Sequence, residues 1–264
     1  MNEAFIIDNE TKEELCRKDP KNAEILKPIL RGRDIKRYGY NFAGLYLLFI
    51  PWHFPLHKDS SVSGASKRAE IEFGKQYPYI YNHLLKYKEK LLMRNKSETG
   101  IRYEWYALQR CANTYYFEFA KDKIIYGQFQ DSSEFSYCEP NIFLSSNEYM
   151  ICGNYNRKYF LGILNSKLPH WFLSKIGNTL SENSNISQKS VFINLPIPHI
   201  SKENKKPFIE IVDKILIDKK LGKDTQELEN KIDLMVYKLY ELTYEEVKIV
   251  DPDFWMSEEE YENK

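Results

Sequence analysis

Apolar residues fall in short runs and alternations through the first two hundred positions, then at helical spacing through the last sixty. The opening Asn2–Asp8 predicts a short strand with Phe5 to Ile7 apolar, followed by a brief helix over Thr11–Arg17 that Asp19-Pro20 ends. Ala43–Trp52 reads as a buried strand closed by Pro51. Pro78–Arg94 predicts one helix, with Tyr81, Leu84, Leu85, Lys88, Leu91 and Leu92 on a single face. A strand at Lys121–Tyr126 is followed by a predicted hairpin of Asn141–Leu144 with Glu148–Cys152. Arg157–Lys167 and Leu168–Ile176 are predicted helical, joined at Pro169. Polar, small residues at 58–68 and at 177–190 predict loops.

From Ser201 the spacing turns purely helical. Pro207 suits the start of a helix with Phe208, Ile211, Val212, Ile215 and Leu216 apolar, ended by Gly222. Asp224 and Glu227 can cap a second helix bearing Leu228, Ile232, Met235, Val236 and Leu239. Thr243 and Glu246 have the spacing of a capping box for a short third helix, stopped by Asp251-Pro252. The two long helices are expected to form an antiparallel pair through Phe208, Ile211, Ile215, Ile232, Met235 and Leu239. Asp253 to Lys264 is acidic and expected to fray. The pattern predicts an α+β chain: a mixed-sheet domain over 1–200, a helical hairpin over 201–250 that is expected to serve as a spacer or docking surface, and an acidic tail over 251–264.

The 42% apolar and 15% aromatic content suffices for a real core. Net charge is zero but unevenly placed. Residues 1–200 carry 27 basic and 21 acidic side chains, whereas 201–264 carry 11 and 17. A cationic body suits nucleic acid; the acidic end does not. Cys16, Cys111, Cys138 and Cys152 lack the Cys-x-x-Cys spacing of a zinc site and fit reduced thiols in a cytoplasm. The longest apolar run, Leu45–Ile50, is too short for a bilayer, so no membrane partner is expected.

The candidate chemistry concentrates at Arg31–Arg37, where Arg31, Arg33, Lys36 and Arg37 outnumber Asp34. Gly32 in their midst permits a bend or a close backbone approach. Guanidinium groups there suit phosphate oxygens and guanine edges; a solvated turn is the plainer reading. Arg94, Lys96 and Arg102 form a second basic loop. Asn178, Asn185, Gln188 and Lys189 lie in a polar stretch whose amides can read adenine. Trp105 is read as core. His53 and His57 are four apart, but Pro55 forbids the helix that metal-binding spacing needs. Glu203-Asn-Lys205 resembles the end of a nuclease site but lacks a paired strand. There is no Gly-x-Gly cofactor loop and no Asn-Pro-Pro-Tyr-type methylation motif.

Leu26-Lys-Pro-Ile-Leu-Arg-Gly-Arg-Asp-Ile-Lys-Arg-Tyr38 resembles the opening signature of the TaqI-like C-terminal specificity domain, the target recognition domain of adenine-specific DNA methyltransferases and type IIG restriction-modification enzymes. Asn2-x-Ala-Phe-x-Ile7, Trp105 with Leu108, Lys123-Ile-Ile125, Leu164-Asn-Ser-Lys-Leu168, Leu195-Pro-Ile-Pro198 and Leu239-Tyr-Glu-Leu-Thr-Tyr-Glu-Glu246 continue the similarity. The resemblance implies duplex DNA as partner, with specificity supplied by this chain. It assigns adenine methylation and S-adenosylmethionine to a methyltransferase part of the same enzyme, with no cofactor and no metal in this segment. Met1 cuts into a family segment, which suggests a piece of a longer enzyme. A stand-alone DNA-binding regulator, a protein-interaction module and an unrecognised hydrolase are the alternatives. The DNA sequence read and the oligomeric state are not legible.

Overall fold

The computed structural model describes residues 2–109, 116–127, 134–181 and 195–264, without the side chains of Asn2 and residues 176–181. In chain order its elements begin with α1 (Asn2–Phe5), β1 (Ile6–Asp8), α2 (Asn9–Lys18), β2 (Leu26–Leu30), β3 (Ile35–Lys36), β4 (Gly39–Tyr40) and β5 (Leu45–Leu48). Next come α3 (Lys67–Gln76), α4 (Pro78–Leu85), α5 (Lys88–Leu92), β6 (Lys123–Gly127), β7 (Phe135–Cys138), β8 (Phe143–Leu144) and β9 (Glu148–Ile151). The chain continues through α6 (Arg157–Leu164), α7 (Lys167–Ser181), α8 (Lys202–Lys220), α9 (Gln226–Leu239), α10 (Tyr244–Val250) and α11 (Glu258–Glu262). This is the expected α+β class. Two compact units interleave along the sequence: Met1–Leu30, Phe42–Lys121 and Pro140–Ser145 make one, and the remaining stretches make the other.

In the first unit β5 pairs antiparallel with both β1 and β2, and β2 pairs parallel with β8. Leu48, Ile50, Phe73, Ile80, Leu84, Leu91 and Tyr106 are fully buried together, and Trp105 joins them as expected, its Nε1 donating to Glu70 at 2.6 Å. The Asn2–Asp8 strand is half helix, since α1 precedes β1. The predicted helix over 78–94 is two pieces, divided at Lys86-Tyr87, where the Tyr87 N–H bonds tightly back to Leu84 O at 2.9 Å. Leu84 and Leu91 are buried on either side of that break, with Tyr87 packed against His83. Tertiary packing overrides a helical spacing here. Helix α3 follows the polar loop unannounced, capped by Ser66 Oγ on Ala69 N and anchored by buried Ala69 and Phe73.

In the second unit β6 lies between β7 and β9, antiparallel to both. The expected hairpin of 141–144 with 148–152 does not form. Phe143-Leu144 pairs with β2, whereas Glu148–Ile151 pairs with β6; burial of each segment in a different sheet outweighs their proximity in sequence.

Helix α6 packs on α8 and α9. Gly162 permits that approach, because a Cβ there would stand 3.0 Å from Val212 Cγ2 and 3.6 Å from Ile232 Cδ1. Phe208, Val212 and Ile215 of α8 and Ile232 and Val236 of α9 are buried, with Ile211, Met235 and Leu239 at the margin. Helix α8 starts five residues before Pro207, capped by Ser201 Oγ on Asn204 N. Pro207 therefore sits inside it, where only one bond toward the first turn is forfeited.

The Thr243–Glu246 capping box forms on α10. The acidic end does not fray. Phe254 and Tyr261 are buried with Tyr237 and Val247, and the Tyr261 hydroxyl donates to Leu242 O at 2.8 Å. Two aromatic anchors outweigh the charge around them. Among the described residues no helix is long and apolar enough to cross a membrane.

Candidate nucleic-acid interface

The basic stretch forms an arm, Arg31–Asn41, within the second unit. Asp34 organises its first half. The Asp34 carboxylate accepts from the Arg31 backbone N–H at 2.9 Å, from Arg31 Nε at 3.0 Å and from Arg31 Nη2 at 2.9 Å. This bidentate fork is the strong form of the Arg–carboxylate pair. Burial of Asp34 favours its neutral form, but the Arg31 bonds outweigh that and hold its pKa below the ordinary value. The Gly32 N–H donates to Glu148 Oε1 at 2.5 Å. A Cβ on Gly32 would stand 3.2 Å from that oxygen, so glycine serves the close approach expected of it.

The second half is a tight hairpin of β3 with β4, Lys36 opposite Gly39 and Arg37-Tyr38 at its tip. Tyr38 takes the left-handed conformation, φ 65°. The buried ring joins the second unit's core, while the backbone N–H donates to Phe135 O at 2.9 Å. That burial holds a conformation an L side chain rarely adopts.

Arg37 turns from solvent to α9. Its Nε donates to Glu229 Oε2 at 2.6 Å. The other Glu229 oxygen accepts from the Thr225 hydroxyl at 2.6 Å and pairs with Lys219 Nζ at 3.0 Å. Burial pushes the Glu229 carboxyl toward neutrality, but Thr225, Arg37 and Lys219 prevail and keep its pKa low. By contrast Arg33 and Lys36 are exposed, and neither side chain has a hydrogen bond or ion pair among the described residues. Two of the four arm cations are thus bound internally and two face outward.

Beside the arm lies a cavity of about 460 Å³, lined by residues 36–41 of the arm and, from the rest of the second unit, chiefly by Tyr137, Glu139, Lys158, Asp213, Lys219 and Lys220. Glu139 is engaged by the Tyr40 hydroxyl at 2.8 Å and by Lys220 at 2.7 Å, and Asp213 by Lys158 at 2.5 Å. With both acids matched, and with Arg37 and Lys219 sharing one carboxylate, the lining keeps an excess of positive charge.

The other expected DNA-binding residues fare differently. Arg94 belongs to the first unit and points inward. It donates from Nε to Leu91 O at 3.0 Å and from Nη2 to Trp105 O at 2.6 Å and Ala107 O at 2.9 Å. Lys96 is exposed in the same unit, and Arg102 pairs with Glu98 at 2.9 Å while its guanidinium lies over Trp52. Asn178 falls within α7, which runs to Ser181 instead of ending at Ile176; its side chain is outside the description, as are Asn185, Gln188 and Lys189 altogether. His53 Nδ1 meets Glu104 at 3.1 Å.

Glu229 was not anticipated from the sequence. The signal was present, because Glu229, Ile232, Asp233 and Val236 recur on one stripe of α9 and all are buried. A carboxylate on an apolar stripe needs either an internal partner or a retained proton.

The TaqI-like C-terminal specificity domain profile matches residues 27–197. Type II methyltransferase M.MjaIV of Methanocaldococcus jannaschii is 24% identical over 242 residues, covering 89% of this chain and 74% of the relative. Among solved structures, the type IIL restriction-modification enzyme MmeI in complex with DNA superposes with a TM-score of 0.61 at 14% identity. That match covers 99% of this chain but only 34% of the MmeI chain, and at this identity it speaks for the fold. With the profile spanning the arm, the sheet of the second unit and helices α3 to α7, the chain belongs to the TaqI-like C-terminal specificity domain family.

Proposed function

We propose that this chain reads duplex DNA as the specificity part of a restriction-modification methyltransferase or endonuclease and performs no chemistry itself. The observation that carries the reading is the arm: Arg33 and Lys36 stand free on a turn whose other charges are satisfied internally. A turn braced in this way presents its two free cations to phosphate or a base edge at a lower ordering cost than a mobile loop would. Membership of a specificity-domain family and the likeness to an enzyme solved with DNA support it. On this reading methyl transfer and S-adenosylmethionine belong to the methyltransferase part of such an enzyme.

The test is a titration of purified chain against random-sequence DNA duplex at several salt concentrations, followed by selection of preferred sequences from the same pool. Log affinity should fall linearly with log salt, and selection should enrich a short motif. Salt-independent binding, or methylation or cleavage of DNA by the chain alone, would overturn the reading.

A further inference from the structure

We infer that Glu229 of α9 is a positioning residue for the basic arm, so that the grip on DNA is set in part by the C-terminal helical pair. The inference rests on the DNA reading above. Arg37 occupies the tip of the β3–β4 hairpin, and Glu229 holds it from a helix 192 residues further along the chain. The carboxylate is itself fixed by the Thr225 hydroxyl and by Lys219, and is nearly inaccessible. A buried, fully bonded anchor transmits its position to what it holds, because it lacks room to relax. What it holds is the tip next to Lys36, in the same short arm as Arg33. The helical pair is then part of the recognition apparatus, not a spacer following it.

The direction of one substitution separates this from simple electrostatics. Glu229→Gln removes a negative charge near a cationic face. Charge alone predicts tighter binding to a polyanion. Positioning predicts weaker binding, roughly tenfold, through loss of a charge-assisted anchor.

Parent, Glu229→Gln, Arg37→Gln and the double variant would be titrated against a random-sequence DNA duplex, with amide hydrogen exchange over residues 31–41 followed without DNA. The expected result is weaker binding and faster arm exchange in Glu229→Gln, with no added loss when Arg37 is already Gln. Equal or tighter binding, or an arm whose exchange is unchanged, overturns the inference. Should Glu229→Gln not fold, Glu229→Asp, which keeps the charge but shortens the reach, is carried through the same measurements and judged by the same outcomes. If the parent binds no duplex at any salt, the DNA reading fails, while faster arm exchange would still establish the anchor.

Discussion

Arg31 and Asp34 form a closed bidentate pair, Nε to Oδ2 at 3.0 Å and Nη2 to Oδ1 at 2.9 Å, three residues apart on one turn. The pair separates two arginines that stand alike on either side of Gly32. Arg31 is spent on structure, and Arg33 is left to solvent.

Arg31→Ala should therefore lower stability by about 1–3 kcal/mol, because the buried Asp34 carboxylate loses its main partner. Thermal or denaturant unfolding measures it. An unchanged midpoint would mean that the pair contributes nothing.

Arg33→Ala and Lys36→Ala should leave the melting temperature within error of the parent. For each phosphate that a variant no longer neutralises, the slope of log affinity against log salt should become shallower by roughly 0.9. If Arg33 instead meets a base edge, its removal costs about 1–3 kcal/mol and relaxes preference at one position. Parent-like binding by both variants would remove the arm from the interface.

Arg94→Ala should behave as a core lesion. The guanidinium ties three carbonyls of the first unit together, and burial holds its pKa below the usual arginine value. A loss of about 2–4 kcal/mol is expected, and Arg94→Lys should recover little of it, since an ammonium lacks the planar fork. Wild-type stability combined with weakened DNA binding would reverse this assignment.

Burial pushes the Asp233 carboxyl up to about 6, with Asp251 adding to the shift and the Lys167 N–H, Arg37 and Lys167 opposing it. The folded carboxyl thus holds its proton more tightly than the unfolded one, whose ordinary value is 3.8. Its contribution to stability is present at low pH and declines as pH rises through about 6. Asp233→Asn escapes that decline. Relative to the parent it should gain on the order of 2 kcal/mol between mildly acidic and neutral pH, read from paired unfolding curves. Parallel pH profiles would refute it.

Gly162→Ala should destabilise the second unit by about 1 kcal/mol net. Overpacking against Val212 and Ile232 works against a helix-propensity gain of about the same order. A stabilised variant would mean that α6 and α8 separate at little cost.

Local order was legible in the sequence. The α8 and α9 stripes, the Thr243–Glu246 box, buried Trp105 and the Gly32 approach follow from spacing and residue type, which report on neighbours within a few positions. The arm's charge cluster and the family signature were equally visible. Partnership across the chain was decided only by tertiary structure. Phe143-Leu144 and Glu148–Ile151 join different sheets, and the acidic end is held by Phe254 and Tyr261. Arg94 turns inward while Lys96 stays out. Nothing in the order of residues 31–37 says which cation is free. That depends on where each buried carboxylate lies, and Glu229 reaches Arg37 only because folding brings α9 to the arm. Periodicity fixes which face of an element is apolar; the cost of leaving a buried charge unpaired fixes which distant residues must meet.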